Sequence, residues 1–259
     1  MNEISRRTFV KGVAATAPLA LVLSDPRLAA AVAAGLETVT IATGDGRKVS
    51  GALAVPAKTG APAVLLIHEW WGLNDQIKSV AAEFAKLGYL ALALDLYDGK
   101  LAKDGDRETA NNYRKAVKEA EGNATVSAWI EWLTKHGKGN GKVGTVGWCF
   151  GGGWSLNASI ARPVDASVVY YGAVTRKADD LKKLKGPVLG HFGTLDKNIN
   201  KVMVDGFEAE MKKAGKPFTT HWYEADHAFA NPTGNRYNEA NAKLSWQRTQ
   251  AFFTKYLKG

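Results

Sequence analysis

Gly147-Trp148-Cys149-Phe150-Gly151-Gly152 holds the only cysteine of this 259-residue chain, and its surroundings decide how the fold is read. The apolar run Lys142-Val143-Gly144-Thr145-Val146 before it predicts a buried strand, and Trp154 to Ile160 after it predicts a helix. Gly-x-Cys-x-Gly between a strand and a helix is the nucleophile-elbow pattern, with sulfur in place of oxygen. The turn is sharp and strained. Side chains at positions 147 and 151 would collide with the neighbouring strand and helix, so both call for glycine. The central thiol then stands above the sheet, beside a helix amino end whose N–H groups and dipole favour a thiolate. The competing reading is a small buried hydrophobe at a strand–helix junction, because free cysteine is often buried and inert.

Outward from the elbow, strands and helices alternate. Thr38–Ala42 and Lys48–Val55 flank the turn Gly44-Asp45-Gly46 and predict an antiparallel hairpin. Continuous apolar runs at Ala63–His68, Tyr89–Asp95, Ser167–Tyr171 and Pro187–Phe192 predict strands buried on both faces, and Phe218–Glu224 a further one. Helical periodicity covers Asp75–Leu87, stopping at Gly88, and Asn198–Ala214 and Glu239–Tyr256. Asp106–Val126 reads as a polar helix broken near Gly122, with an amphipathic helix over Val126–His136. The pattern predicts a mainly parallel sheet covered by helices on both faces, an α/β class, with ligands at the carboxyl ends of the strands. There are no repeats and no linker, so residues 32–259 form a single domain with a sizeable core.

The first 31 residues read as an export signal. Ser5-Arg6-Arg7-Thr8-Phe9-Val10-Lys11 is a twin-arginine pattern, read by the twin-arginine export machinery. The apolar run from Val13 to Leu23 is too short for a bilayer span, which needs roughly 20 residues. Ala29-Ala30-Ala31-Val32-Ala33-Ala34 offers small residues to a signal peptidase. The expected location is periplasmic or extracellular. A segment retained as an anchor and a basic cytoplasmic start are the alternatives. Loss of residues 1–31 removes four basic and two acidic side chains, lowering the formal charge from +9 to about +7. Short clusters such as Lys182-Lys183-Leu184-Lys185 spread the excess, and no basic run is interleaved with aromatics, so nucleic acid is not an expected partner. With one cysteine there is no internal disulfide, and a lone thiol in an oxidising compartment invites a reactive role.

A thiol needs a base, and the base needs an orienting carboxylate. Of five histidines, His136 lies at a helix end, while His191 and His221 lie within strands. His68 ends a strand and is placed to orient the next loop. His227 follows the last strand in a loop, the place of the general base in elbow folds. Asp196, just after Pro187–Phe192, has the chain order expected of the carboxylate; Asp226 is its rival, and a plain helix cap at Asp196 is the other reading. His68-Glu69-Trp70-Trp71-Gly72 follows the strand expected to supply half of an oxyanion hole, which nominates the backbone N–H groups of Trp70 and Phe150. Burial of Glu69 beside tryptophans would raise its pKa and let it share a proton with the thiol; a rim glutamate is the alternative. No second histidine stands at zinc-binding spacing, and no metal or cofactor is expected.

These segments, together with Asp95-Leu96-Tyr97, Tyr170-Tyr171-Gly172 and His221-Trp222-Tyr223 before His227-Ala228-Phe229, resemble the dienelactone hydrolases (carboxymethylenebutenolidases) from about residue 36 to the end. The resemblance implies an α/β-hydrolase fold and a Cys–His–Asp triad at Cys149, His227 and Asp196. It implies that Glu69 holds the resting thiol and takes its proton when substrate displaces it. The thiolate then forms on demand, which would protect Cys149 from oxidation. Two arginines that hold the substrate carboxylate in the family are missing: their positions are Gly99 and Asn231. Lys100 and Arg236 are the candidates to replace them. Trp70, Trp71 and Trp148 suggest an aromatic-lined pocket. The expected activity is hydrolysis of a small ester or lactone through the cysteine, and the missing arginines point to a substrate other than dienelactone. The alternative is a non-catalytic ligand-binding or thiol-sensing protein on the same scaffold.

Overall fold

The computed structural model describes residues 25–103 and 105–259. The twin-arginine segment 5–11 and the apolar run 13–23 lie outside the described residues. Helix α1 (Pro26–Ala33) leads into the hairpin β1 (Glu37–Ala42) and β2 (Lys48–Ala54). Then follow β3 (Ala61–Ile67), α2 (Asp75–Lys86), β4 (Leu90–Leu94), α3 (Arg107–Ala116) and α4 (Glu119–Lys135). The elbow joins β5 (Gly139–Trp148) to α5 (Phe150–Ala161). The chain closes with β6 (Ala166–Tyr170), α6 (Ala178–Leu181), β7 (Val188–Gly193), α7 (Lys201–Lys213), β8 (Phe218–Tyr223), α8 (Glu239–Phe253) and a π-helical turn, Thr254–Lys258. The domain boundary expected at residue 31 falls inside α1.

The eight strands form one sheet in the order β1-β2-β4-β3-β5-β6-β7-β8. β1, β2 and β4 pair antiparallel; every pairing from β4 through β8 is parallel. β3, β4, β6 and β7 are buried at every residue, as their unbroken apolar runs require of strands covered on both faces. Along β3, Val64 and Leu66 face the cluster that holds Ile77, Val80 and Phe84 of α2. Leu65 and Ile67 face the opposite cluster, with Trp129, Ile130 and Leu133 of α4. Each such fully buried side chain contributes roughly 1.5–3 kcal/mol.

The chain leaves β3 toward β4 on one side and returns to place β5 on the other. A crevice therefore opens between the carboxyl ends of β3 and β5, the place where such sheets bind ligands. Ile67 pairs with Gly147, so the segments carrying Glu69 and Cys149 leave neighbouring strands at one level. Gly193 pairs with Tyr223, so the loops carrying Asp196 and His227 also leave together.

One boundary differs from expectation. The helical break lies at Val117–Lys118, and Gly122 is inside α4. Gly122 is there for packing: a Cβ at that position would overlap the ring of Trp154. Gly206, exposed within α7, has open space around its missing Cβ. The two glycines therefore respond oppositely to alanine. Gly122→Ala is expected to destabilise by about 1–3 kcal/mol through overpacking, and Gly206→Ala to stabilise by about 0.5–1 kcal/mol. Denaturant unfolding of the two variants reads both signs.

Candidate active site

The elbow is built from close backbone contacts. Cys149 has φ 55° and ψ −116°, a conformation that a non-glycine residue adopts only under constraint. The constraint is visible on both sides. A Cβ at Gly147 would overlap the carbonyl of Gly151, and one at Gly151 would overlap the carbonyls of Ile67 and His68. The Cys149 N–H donates to the Tyr170 carbonyl at 3.0 Å, which ties the turn to β6. Cys149 is half-buried and lines a cleft of about 1300 Å³.

His227 reaches the same cleft from the loop after β8. Its Nδ1–H donates to Asp196 Oδ2 at 2.6 Å, which leaves Nε2 for the cleft. Asp196 is buried, and its Oδ1 accepts from the N–H groups of Asn198 (2.9 Å) and Ile199 (3.0 Å). It therefore does cap the turn before α7 and orients His227 as well. Burial alone would raise the Asp196 pKa; the bonds from His227 and from those N–H groups outweigh it and hold the carboxyl below its ordinary value. For His227, burial opposes the charge, but hydrogen bonds to Asp196 and Cys149 push the pKa up to about 10. Asp226 is not the partner. Its Oδ1 accepts from the His227 N–H, and its Oδ2 lies 3.8 Å from Arg236.

Glu69 meets a different environment. It is buried, and Asn231 Nδ2 donates to its Oε2 at 2.5 Å, while Oε1 has no partner among the described residues. Desolvation raises its pKa to about 7, against smaller opposing effects of His227, Asn231 and Arg236. The loop that carries it is fixed by His68. Leu96 N–H donates to His68 Nε2 at 3.1 Å, so the proton sits on Nδ1, which donates to the Glu69 carbonyl at 2.5 Å. The N–H groups of Trp70, next in that loop, and of Phe150, the first residue of α5, have no partner among the described residues. Both residues line the cleft, as an oxyanion hole requires.

Cys149, His227, Glu69, Trp70, Phe150, Trp71 and Asn231 all border this cleft, with Asp196 directly behind His227. Two pocket expectations need correction. Trp148 is buried and stacks on Tyr170 with ring centroids 5.5 Å apart, because alternation along β5 turns it into the sheet core. Lys100 borders a separate, smaller cavity beside Tyr97 and Lys118. Asn231 is at the cleft, but its Oδ1 accepts from Thr233 and its amide nitrogen serves Glu69, so it acts as a positioner. His191 is a satisfied core histidine, 2.8 Å from Tyr223 OH and 3.0 Å from Thr249 Oγ1. His136 packs on Trp132 at a helix end.

Sequence reasoning gave Tyr171 no role. Its ring lies 5.2 Å from that of His227, its φ is 37°, and its buried hydroxyl has no partner among the described residues. Arg107, Arg114 and Arg176 also border the cleft, and only folding brings these dispersed positions together. Among the described residues, no group of His, Cys, Asp or Glu side chains is placed to hold a metal ion.

The dienelactone hydrolase family pattern matches residues 49–257. The carboxymethylenebutenolidase of Pseudomonas putida is 28% identical over 229 residues, covering 83% of this chain and 95% of that one. Protein usf of Aquifex pyrophilus is 31% identical over 224 residues, covering 82% and 96%. A solved Klebsiella pneumoniae structure is 26% identical, with TM-score 0.76 over 86% of this chain and all of that one.

The raised Glu69 pKa carries a sign. With 4.5 as the ordinary value and about 7 in the fold, the folded protein keeps a proton that the unfolded chain releases, so wild type loses stability as pH rises through that window. The loss amounts to about 3 kcal/mol. Glu69→Gln has no such loss. Its stability relative to wild type should therefore rise by about that amount between pH 4 and pH 8, as read by urea unfolding. A pH-independent difference would contradict the assignment.

Proposed function

The chain belongs to the dienelactone hydrolase family, and on that premise we propose that it hydrolyses a small ester or lactone through a thiolate at Cys149. The observation that carries this reading is the convergence of the strained elbow sulfur, the Asp196-clamped His227 and the unpartnered N–H groups of Trp70 and Phe150 on one cleft.

Substrate enters the cleft that Glu69 and Cys149 both border, and Glu69, whose Oε1 has no partner among the described residues, swings to the thiol. Glu69, poised with a pKa of about 7, takes the proton from sulfur. The thiolate attacks the carbonyl carbon, and the carbonyl π electrons move to oxygen. Trp70 and Phe150 N–H groups hold that oxyanion, a contribution of roughly 3–4 kcal/mol per donor in comparable sites. The C–O bond breaks as protonated His227 delivers its proton to the leaving oxygen; in a lactone that oxygen stays on the opened chain. The neutral imidazole then takes a proton from water, the hydroxide attacks the thioester carbonyl, and collapse releases the acid and the thiolate, which takes its proton back from Glu69. Asp196 keeps the imidazole in the tautomer both steps need. A thiolate is a good leaving group and amides need strong leaving-group protonation, so esters rather than peptides are the substrates.

The substrate class follows from charge at the cleft. Arg107, Arg114, Arg176 and Arg236 border it, against Asp75 and Glu69 as the acidic members. Low-dielectric walls focus that field, which favours substrates with a carboxylate or other anionic group. Arg176 pairs with Glu119 at 3.0 Å and Arg236 lies 3.8 Å from Asp226, so Arg107 and Arg114 are the groups we propose in place of the family arginines absent at 99 and 231. A non-catalytic ligand-binding protein is not favoured, because simple binding has no need of a strained, base-paired thiol. We also read residues 5–11 as the signal that exports the protein to the periplasm or beyond by the twin-arginine route.

Purified protein assayed with p-nitrophenyl acetate and with dienelactone tests the activity. Cys149→Ala and His227→Ala should each lower kcat/KM by at least about 10³-fold, and Asp196→Asn by about 10⁴-fold. Unchanged turnover in Cys149→Ala would remove the cysteine from the reaction. Stoichiometric acylation without turnover in wild type would favour the binding reading.

A further inference from the structure

Residues 29–34 pose a conflict between sequence and structure. Their small side chains suit a signal peptidase, yet residues 26–33 fold as α1 against the body of the domain. The helix is capped, with Asp25 Oδ1 accepting from the Arg27 N–H at 2.8 Å. Ala29 and Ala33, one turn apart, are buried, with 5% and 8% of their surface exposed. Ser79 of α2 lies with its Oγ 3.2 Å from the Ala29 carbonyl and 2.8 Å from the Asp75 carbonyl. A serine hydroxyl reaches a backbone carbonyl of a neighbouring helix only when the two backbones approach closely. Methyl side chains at 29 and 33 allow that approach; larger ones would hold the helices apart. Past the helix, Gly35 and Leu36 donate to the carbonyls of Val32 and Ala33, and Leu36 packs on the core before β1 begins.

The same helix borders the reaction cleft. Ala29 lines it beside Asp75 and Gln76, the first two residues of α2. Through Ala29, α1 is thereby part of the cleft wall. A peptidase cleaves extended, accessible backbone. A folded α1 with its Ala29 carbonyl at the Ser79 hydroxyl is not extended, and twin-arginine export carries proteins across already folded.

We propose that α1 is a permanent wall of the substrate cleft: it stays with the mature enzyme, any processing occurs upstream of Pro26, and Ala29 limits the bulk of the substrate that the mouth admits. The specificity part rests on the hydrolase reading of the cleft, whereas retention does not.

The test compares the full chain with chains starting at residues 25 and 36, each assayed on p-nitrophenyl acetate and p-nitrophenyl octanoate. The chain from 25 should match the full chain. The chain from 36 should melt at least about 3 °C lower and raise its octanoate-to-acetate ratio of kcat/KM at least about fivefold; a fall in that ratio would contradict the wall. Should the chain from 36 fail to fold, Ser79→Ala in the full chain serves instead: it removes the hydroxyl at the Ala29 carbonyl, and should lower the melting temperature and raise the octanoate-to-acetate ratio of kcat/KM. Identical melting and identical ratios would overturn the wall. Mass spectrometry of the exported protein reads retention by itself: a mature terminus at or before Pro26 supports it, and one between residues 27 and 36 overturns it. Inactivity of every form, full chain included, would defeat the hydrolase reading and the specificity part together, while melting and mass still decide retention.

Discussion

One pair of backbone approaches governs the rest of the structure: the first turn of α5 lies so close to the end of β5 that Gly147 has no room for a Cβ, and so close to the end of β3 that Gly151 has none. Squeezed between them, Cys149 takes φ 55°, a conformation that costs of order 1–3 kcal/mol and persists only where surrounding packing enforces it. That packing comes from strands buried at every residue. The sheet core therefore holds the strain, and the strain lifts the sulfur into the cleft. Because the carbonyls that exclude a Cβ at Gly151 belong to Ile67 and His68, the same approach draws the Glu69–Trp70 loop to the elbow.

The cleft treats its two carboxylates in opposite ways. Asp196 accepts from His227 and from two N–H groups, so its charge is stabilised even though it is buried. Glu69 accepts from a neutral amide, keeps one oxygen without a partner among the described residues, and has its pKa raised to about 7. Environments that push two acids apart assign them different work: one stays ionised to orient a base, and the other exchanges a proton near neutral pH. Asn231 is central to this. An arginine there would bring a full positive charge to Glu69 and lower its pKa; the amide gives a hydrogen bond without the charge.

The fold was legible wherever one local rule dominated. Unbroken apolar runs marked the buried strands, Gly88 marked the end of α2, and the spacing of glycines around Cys149 marked the elbow. Chain order alone placed Asp196 and His227 in loops that register then brings to 2.6 Å of each other. Properties that depend on tertiary neighbours were not legible. Gly122 looked like a helix breaker because nothing local shows the Trp154 ring that occupies its missing Cβ position. Trp148 looked like a pocket wall because proximity in sequence to Cys149 hides the strand alternation that turns it inward. Tyr171, Arg107, Arg114 and Arg176 converge on the cleft from elements far apart in the chain, and α1 was hidden by a composition that suits a cleavage site as well as a close-packed helix.

The most direct test is to trap the acyl intermediate. The protein is mixed with an activated ester, quenched in acid on the millisecond timescale, and mapped by peptide mass spectrometry. Acyl transfer through the elbow predicts a thioester on the peptide carrying Cys149, appearing and decaying at least as fast as kcat. Steady turnover with that peptide unmodified at every time, or with the acyl group on another residue, would contradict it.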